Sequence, residues 1–155
     1  MPEREWLPGG SAELLPRGGP RPDRPLLFLS LGSAAGEAAE VREIAWARVP
    51  PLGAASPVLE SYPLVRGKAP AILLRRLLAA AEGADVHSES AVLDRMRLDR
   101  LFADAGLVRD FPVRSFAHLV GARTAAERLV PGGRNAATEV SVLLETFRLC
   151  RLYSG

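Results

Sequence analysis

Leu26-Leu27-Phe28-Leu29-Ser30-Leu31-Gly32 is the stretch from which the rest of the chain can be read. An apolar run this short, led in by Pro25 and ended by Gly32, predicts a strand covered on both faces. Upstream of it, Pro8-Gly9-Gly10, Pro16-Arg17-Gly18-Gly19-Pro20 and Pro22 exclude a continuous helix or a central strand. Residues 1–25 are therefore expected to form a mobile arm, in which Trp6 and Leu14-Leu15 are the side chains able to dock on a partner or on the domain itself.

Downstream, Val41, Ile44, Ala45, Trp46, Ala47 and Val49 predict a second strand over 40–49, closed by Pro50-Pro51. The short connection predicts antiparallel pairing with the first strand. A third strand over 58–65 is placed at an edge by Pro63. Residues 70–82 read as a helix, with Leu73, Leu74, Leu77, Leu78 and Ala81 on one stripe and Gly83 as its stop. Ala84–Ser88 reads as a short buried strand. Over 91–105 the period is helical, with Val92, Leu93, Met96, Leu101, Phe102 and Ala105 expected inward and Asp94, Arg97 and Arg100 on the surface. Phe111-Pro112-Val113 is extended, 115–120 is a short helix, and 135–152 is a last helix after Pro131-Gly132-Gly133. Its buried side is expected to be Val140, Leu143, Leu144, Phe147 and Leu152. The whole predicts an α/β domain over 26–155, a mixed sheet flanked by helices.

At 155 residues, 48% of them hydrophobic, the chain is long enough to bury a core and too apolar for disorder. A net charge of +2 does not by itself specify a polyanionic partner. Lys68 is the only lysine. Such an arginine bias suits phosphate contacts, and a GC-rich coding sequence produces the same bias. Cys150 stands alone, which excludes a disulfide framework and a thiolate metal cluster. No apolar run approaches the ~20 residues of a membrane span, and Glu3, Arg4 and Glu5 are unlike a secretory leader. A cytoplasmic location is the expectation.

Four short segments fall in a recognisable order. They are Ser30-Leu31-Gly32-Ser33-Ala34-Ala35 followed by Glu40-Val41-Arg42-Glu43-Ile44-Ala45, then Glu89-Ser90-Ala91-Val92-Leu93-Asp94, then Arg134-Asn135-Ala136-Ala137-Thr138-Glu139. In order and spacing they resemble the DnaQ-like 3′-to-5′ exonucleases of RNase H-like fold. Those read roughly Asp-Leu-Glu-Thr-Thr-Gly and Glu-Ile-x-Glu-Ile-Ala, then His-Asn-x-x-Phe-Asp, then His-x-Ala-x-x-Asp. The resemblance covers residues 26–150. It implies a site where four carboxylates hold two divalent metals and a histidine serves as base.

Carried over residue by residue, the resemblance puts Ser30 and Gly32 at the first two acids, Asp94 at the third, Glu139 at the fourth and Arg134 at the histidine. Arginine cannot accept a proton at ordinary pH. No catalytic residue and no cofactor are therefore expected. Asp94 reads either as a remnant ligand or as an ordinary helix acid, and Glu139 as support for the first turn of the last helix. Glu37, Glu40 and Glu43, near the first turn, are remote candidates for a substitute ligand. His87 and His118 read as structural. The Ser30-Gly32-Ser33 cluster lacks the lysine of a P-loop.

The leading expectation is a pseudo-exonuclease that binds single-stranded nucleic acid or a protein partner in a DNA- or RNA-processing complex. Arg134, Arg95 and Arg97 are its expected phosphate contacts, with Arg100 extending the path. The alternative is a divergent but active exonuclease, with Mg²⁺ or Mn²⁺ held by Asp94, Glu139 and one further acid. A third reading is a small α/β scaffold with no nuclease ancestry.

Overall fold

The computed structural model describes residues 24–33, 40–51, 56–128 and 135–154, apart from the side chains of 126–128 and 151–154. In chain order the elements are β1 (Leu26–Ser33), β2 (Val41–Val49), β3 (Val58–Pro63), α1 (Ala71–Ala81), β4 (Asp85–Ser88), α2 (Ala91–Asp104), β5 (Val113–Ser115), α3 (Ala117–Val120), α4 (Ala122–Arg128) and α5 (Ala136–Ser154). Residues 1–23 of the expected arm and the connection over 34–39 lie outside the described residues. Among the described residues no helix is long and apolar enough to cross a membrane.

The strands form one five-stranded sheet in the order β3-β2-β1-β4-β5. β2 is antiparallel to both its neighbours, whereas β1, β4 and β5 run parallel. This is the mixed, helix-flanked α/β sheet that the sequence predicts, with β1 at its centre. β1 is buried on both faces because its alternate residues feed two cores. Leu27, Leu29 and Leu31 join Trp46, Leu74, Leu77, Leu98 and Phe102 on one face. Leu26 and Phe28 join Phe116, Val140, Leu143 and Phe147 on the other. Each such side chain contributes about 1.5–3 kcal/mol when fully buried. Phe28 meets the rings of Phe116 and Phe147 edge-on, with centroids 5.4 and 5.5 Å away.

The stripe of α1 is as predicted, with Leu73, Leu74, Leu77 and Ala81 buried. α2 corrects the prediction: Val92 and Met96 are 66% and 64% exposed, and the buried face is Ala91, Asp94, Leu98, Leu101 and Phe102. Asp94 therefore occupies a core position and is not on the surface. Apolar periodicity misplaces this face because the polar member of the stripe is an acid. In α5, Ala136, Val140, Leu143, Thr146 and Phe147 are buried and Leu144 is half-buried, while the side chain of Leu152 is outside the description. The short helix expected from 115 begins at Ala117. Ser115 belongs to β5, and its hydroxyl accepts the Ala117 N–H at 3.3 Å.

Two backbone irregularities stand side by side at one edge. Gly32 pairs with Glu43 but Ser33 pairs with Val41, so Arg42 is an extra residue, a β-bulge. An uninterrupted strand sends residues three apart to opposite faces, yet Val41 and Ile44 share one core. The bulge makes this possible and leaves Arg42 exposed. The Arg42 carbonyl accepts the N–H of Leu64 at 2.8 Å. Immediately beyond, Val65 and Lys68 bridge across a two-residue turn in which Arg66 and Gly67 both have positive φ, +55° and +69°. That is the form of a type I′ turn.

Candidate functional site

β1 and β4 run parallel, and β4 stops at Ser88, beside Leu29, while β1 continues to Ser33. The ends of parallel strands are where an open α/β sheet leaves a crevice. Here the chain turns from β4 directly into α2, which brings Asp94 to this end in the first turn of the helix. α5 starts at the same end, with Ala136 against Gly32 and Glu139 in its first turn. The positions Ser30, Gly32, Asp94 and Glu139 thus share one end of the sheet, Ser30 and Gly32 on the strand and the two acids on flanking helices. Arg134 lies outside the described residues.

Ser30 is 6% exposed and, by alternation with Phe28, faces α5. Gly32 faces the same way and has little room. A Cβ there would come within 3.3 Å of the Ala136 nitrogen and 3.6 Å of the Cβ atoms of Ala136 and Glu43. The first turn of α5 occupies the direction in which a side chain at 32 would point. That turn is held twice. The Glu43 Oε1 accepts the Ala136 N–H at 2.8 Å, and the Asn135 Oδ1 accepts the Thr138 N–H at 2.8 Å. Glu43 is thereby committed to helix α5, where its charge also suits the N-terminal dipole. The Glu139 N–H bonds within the helix, to Asn135 O at 3.0 Å.

Asp94 is 5% exposed. Burial pushes its carboxyl up to about 6; the Ser88 hydroxyl and the Arg97 charge oppose that rise, and Glu89 adds to it. The Ser88 hydroxyl is itself buried and lies near Asp94 without full hydrogen-bond geometry. His87, one residue earlier, is 4% exposed, with Nδ1 buried and unbonded. Burial holds its imidazole down at about 4, so it is neutral at physiological pH. His87 is buried, one of the two placements, buried or capping, expected for it.

The arginines read from the sequence have defined places. Arg95 is half-buried and donates to the Val113 carbonyl at 3.0 Å, which fastens α2 to the β5 edge. Arg97 is half-buried, with its Nε sequestered and unbonded and its charge favouring the Asp94 carboxylate. Arg100 is exposed. Sequence reasoning passes over Arg42 and Arg66, whose presentation depends on a bulge and a turn that have no apolar signature.

A two-metal centre needs several ionised carboxylates around one point. Among the described residues no group of three or more His, Cys, Asp and Glu side chains is placed to hold a metal ion. Asp94 is desolvated, Glu43 is bound to a helix N-terminus, and the direction from Gly32 is filled. The described residues do not fit the metal pair that the resemblance implies. No protein-family model, curated protein or solved structure matches this chain.

Proposed function

We propose that this chain is a noncatalytic, RNase H-like domain of the DnaQ-like exonuclease kind that binds single-stranded nucleic acid. The observation that carries this reading is the seating of α5 on Gly32. A position that would carry a metal-binding acid in an exonuclease is instead a helix contact, closed by the Glu43–Ala136 hydrogen bond. The antiparallel pair β1–β2 beside the parallel run β1-β4-β5 supports the RNase H-like layout. The exposed guanidinium groups support a phosphate-rich ligand, since their planar forks match phosphate oxygens.

The test is a nuclease assay with Mn²⁺ on single-stranded DNA and RNA, run beside filter binding on the same substrates. Retention on the filter without cleavage is expected, undiminished by EDTA and weakened by salt. Degradation that depends on Mg²⁺ or Mn²⁺ overturns the noncatalytic reading. Absence of retention at low salt overturns the nucleic-acid reading and leaves a protein as the partner class.

A further inference from the structure

We infer that Arg42 and Arg66 form a phosphate-binding rim that grips the backbone of a single strand passing the end of β1. The inference rests on the nucleic-acid reading above and assigns it residues.

Both arginines are exposed, and neither makes an ion pair or hydrogen bond through its guanidinium among the described residues. Each is presented by an irregular backbone. Arg42 is the bulge residue of β2, between Val41, which is in the core, and Glu43, which pairs with Gly32. Arg66 is the only non-glycine residue with positive φ among the described residues. A type I′ turn favours Asn or Gly there, and a long L side chain is strained. Such an outlier on an exposed tip points to a use for the side chain that it carries. The two sites are neighbours: Leu64 donates to the Arg42 carbonyl, and two residues later comes Arg66. On the far side, a Cβ at Gly67 would touch the Cβ of Glu40 at 2.9 Å, so the turn lies flat along residues 40–42.

The pairing of the neighbouring charges leaves the two arginines available to an anion. Glu40 is its exposed acid, Glu43 is committed to Ala136, and Lys68 is paired with Asp104 at 3.1 Å. Among the described residues Arg42 and Arg66 are thus the cations of this rim that no acid pairs. Val65, 75% exposed beside Arg66, adds an apolar surface that a sugar or base can use and a simple anion cannot.

The experiment is fluorescence anisotropy of labelled oligo(dT) and oligo(rU) against the full chain over a range of salt. Arg42→Ala and Arg66→Asn are each expected to weaken binding about 3–10-fold and to flatten the salt slope by about 0.7 for each phosphate that is no longer neutralised. Arg66→Asn puts a residue that the turn favours at the tip. Its melting temperature is expected to hold or rise, which separates weakened binding from a damaged fold. Arg114→Ala, on the opposite edge strand β5, is expected to bind as the parent does. A parent chain that binds while both rim variants bind equally well overturns the rim and spares the nucleic-acid reading. A parent chain that does not bind overturns both.

Discussion

Ala136 donates its backbone N–H to the Glu43 carboxylate at 2.8 Å, and Glu43 is the residue that pairs with Gly32 across β1 and β2. One side chain thus joins β1 and β2 to the first turn of α5. A carboxylate at this place satisfies an orphan N–H and faces the positive end of the helix dipole. Glu43→Ala removes both effects and is expected to cost about 1–2 kcal/mol, the range seen when an N-cap is removed. Glu43→Gln keeps an oxygen acceptor and gives up only the charge, so a smaller cost of about 0.3–1 kcal/mol is expected. Urea unfolding of the two variants checks the order. Equal costs would mean that charge, not the hydrogen bond, carries the interaction.

Gly32 sets the second expectation. It is the small partner that lets α5 approach, and a methyl group there would press on the backbone nitrogen of Ala136 at 3.3 Å. Gly32→Ala is expected to destabilise by about 1–3 kcal/mol, as overpacking does. Gly32→Glu is expected to dislodge the first turn of α5 rather than to create a metal ligand. Amide exchange at residues 136–139 reads this directly. A Gly32→Glu variant with parental protection there would show that the space is larger than the backbone indicates.

Much of the fold is legible in the sequence because β1 is unambiguous: Pro25, six residues of mostly apolar side chains and Gly32 leave little choice but a central strand. α1 is legible because its stripe is all leucine and alanine. The phase of α2 is not, because Asp94 takes a core position while Val92 and Met96 face water. Helix α4, Ala122–Arg128, goes unseen because Arg-Thr-Ala-Ala-Glu-Arg carries no apolar period. At the site, Ser30 and Gly32 can be placed on the first strand from the sequence. What closes on Gly32 cannot, since Ala136 and Glu43 reach it only through tertiary packing. The bulge at Arg42 escapes because Val41 and Ile44 read as strand residues in either register.

Asp94 makes stability depend on pH in an uncommon direction. Its ordinary pKa is 3.8, and in the fold burial raises it to about 6. The folded chain therefore holds the proton more tightly than the unfolded chain. Acidification from about pH 6 to pH 4 adds stability from this group, up to about 3 kcal/mol. Asp94→Asn removes the desolvated charge, so the variant is expected to gain about 1–3 kcal/mol at pH 7. Relative to the parent, that advantage shrinks as pH falls through 6 and is gone near 4. Urea midpoints at pH 7 and pH 4.5 decide it. A variant less stable than the parent at pH 7 would mean that the ionised carboxylate is well solvated or firmly paired with Arg97.

His87 acts in the opposite sense over nearly the same window. Its ordinary pKa is 6.5, and burial lowers it to about 4 in the fold. The unfolded chain takes up the proton first, so acidification from pH 6.5 to pH 4 removes stability, about 3 kcal/mol in all. Stability from a neutral buried histidine is fully present above pH 6.5 and declines as pH falls towards 4. The gain at Asp94 and the decline at His87 largely cancel in the parent, and single substitutions unmask them. His87→Leu is expected to become steadily more stable than its own pH 7 value between pH 6 and pH 4.5. Asp94→Asn is expected to fall over that interval, and the double variant to be flat like the parent. Other carboxylates contribute equally to all four proteins, so the differences between curves isolate the pair. Parallel curves for all four proteins would show that neither group is as desolvated as its burial on β4 and α2 requires.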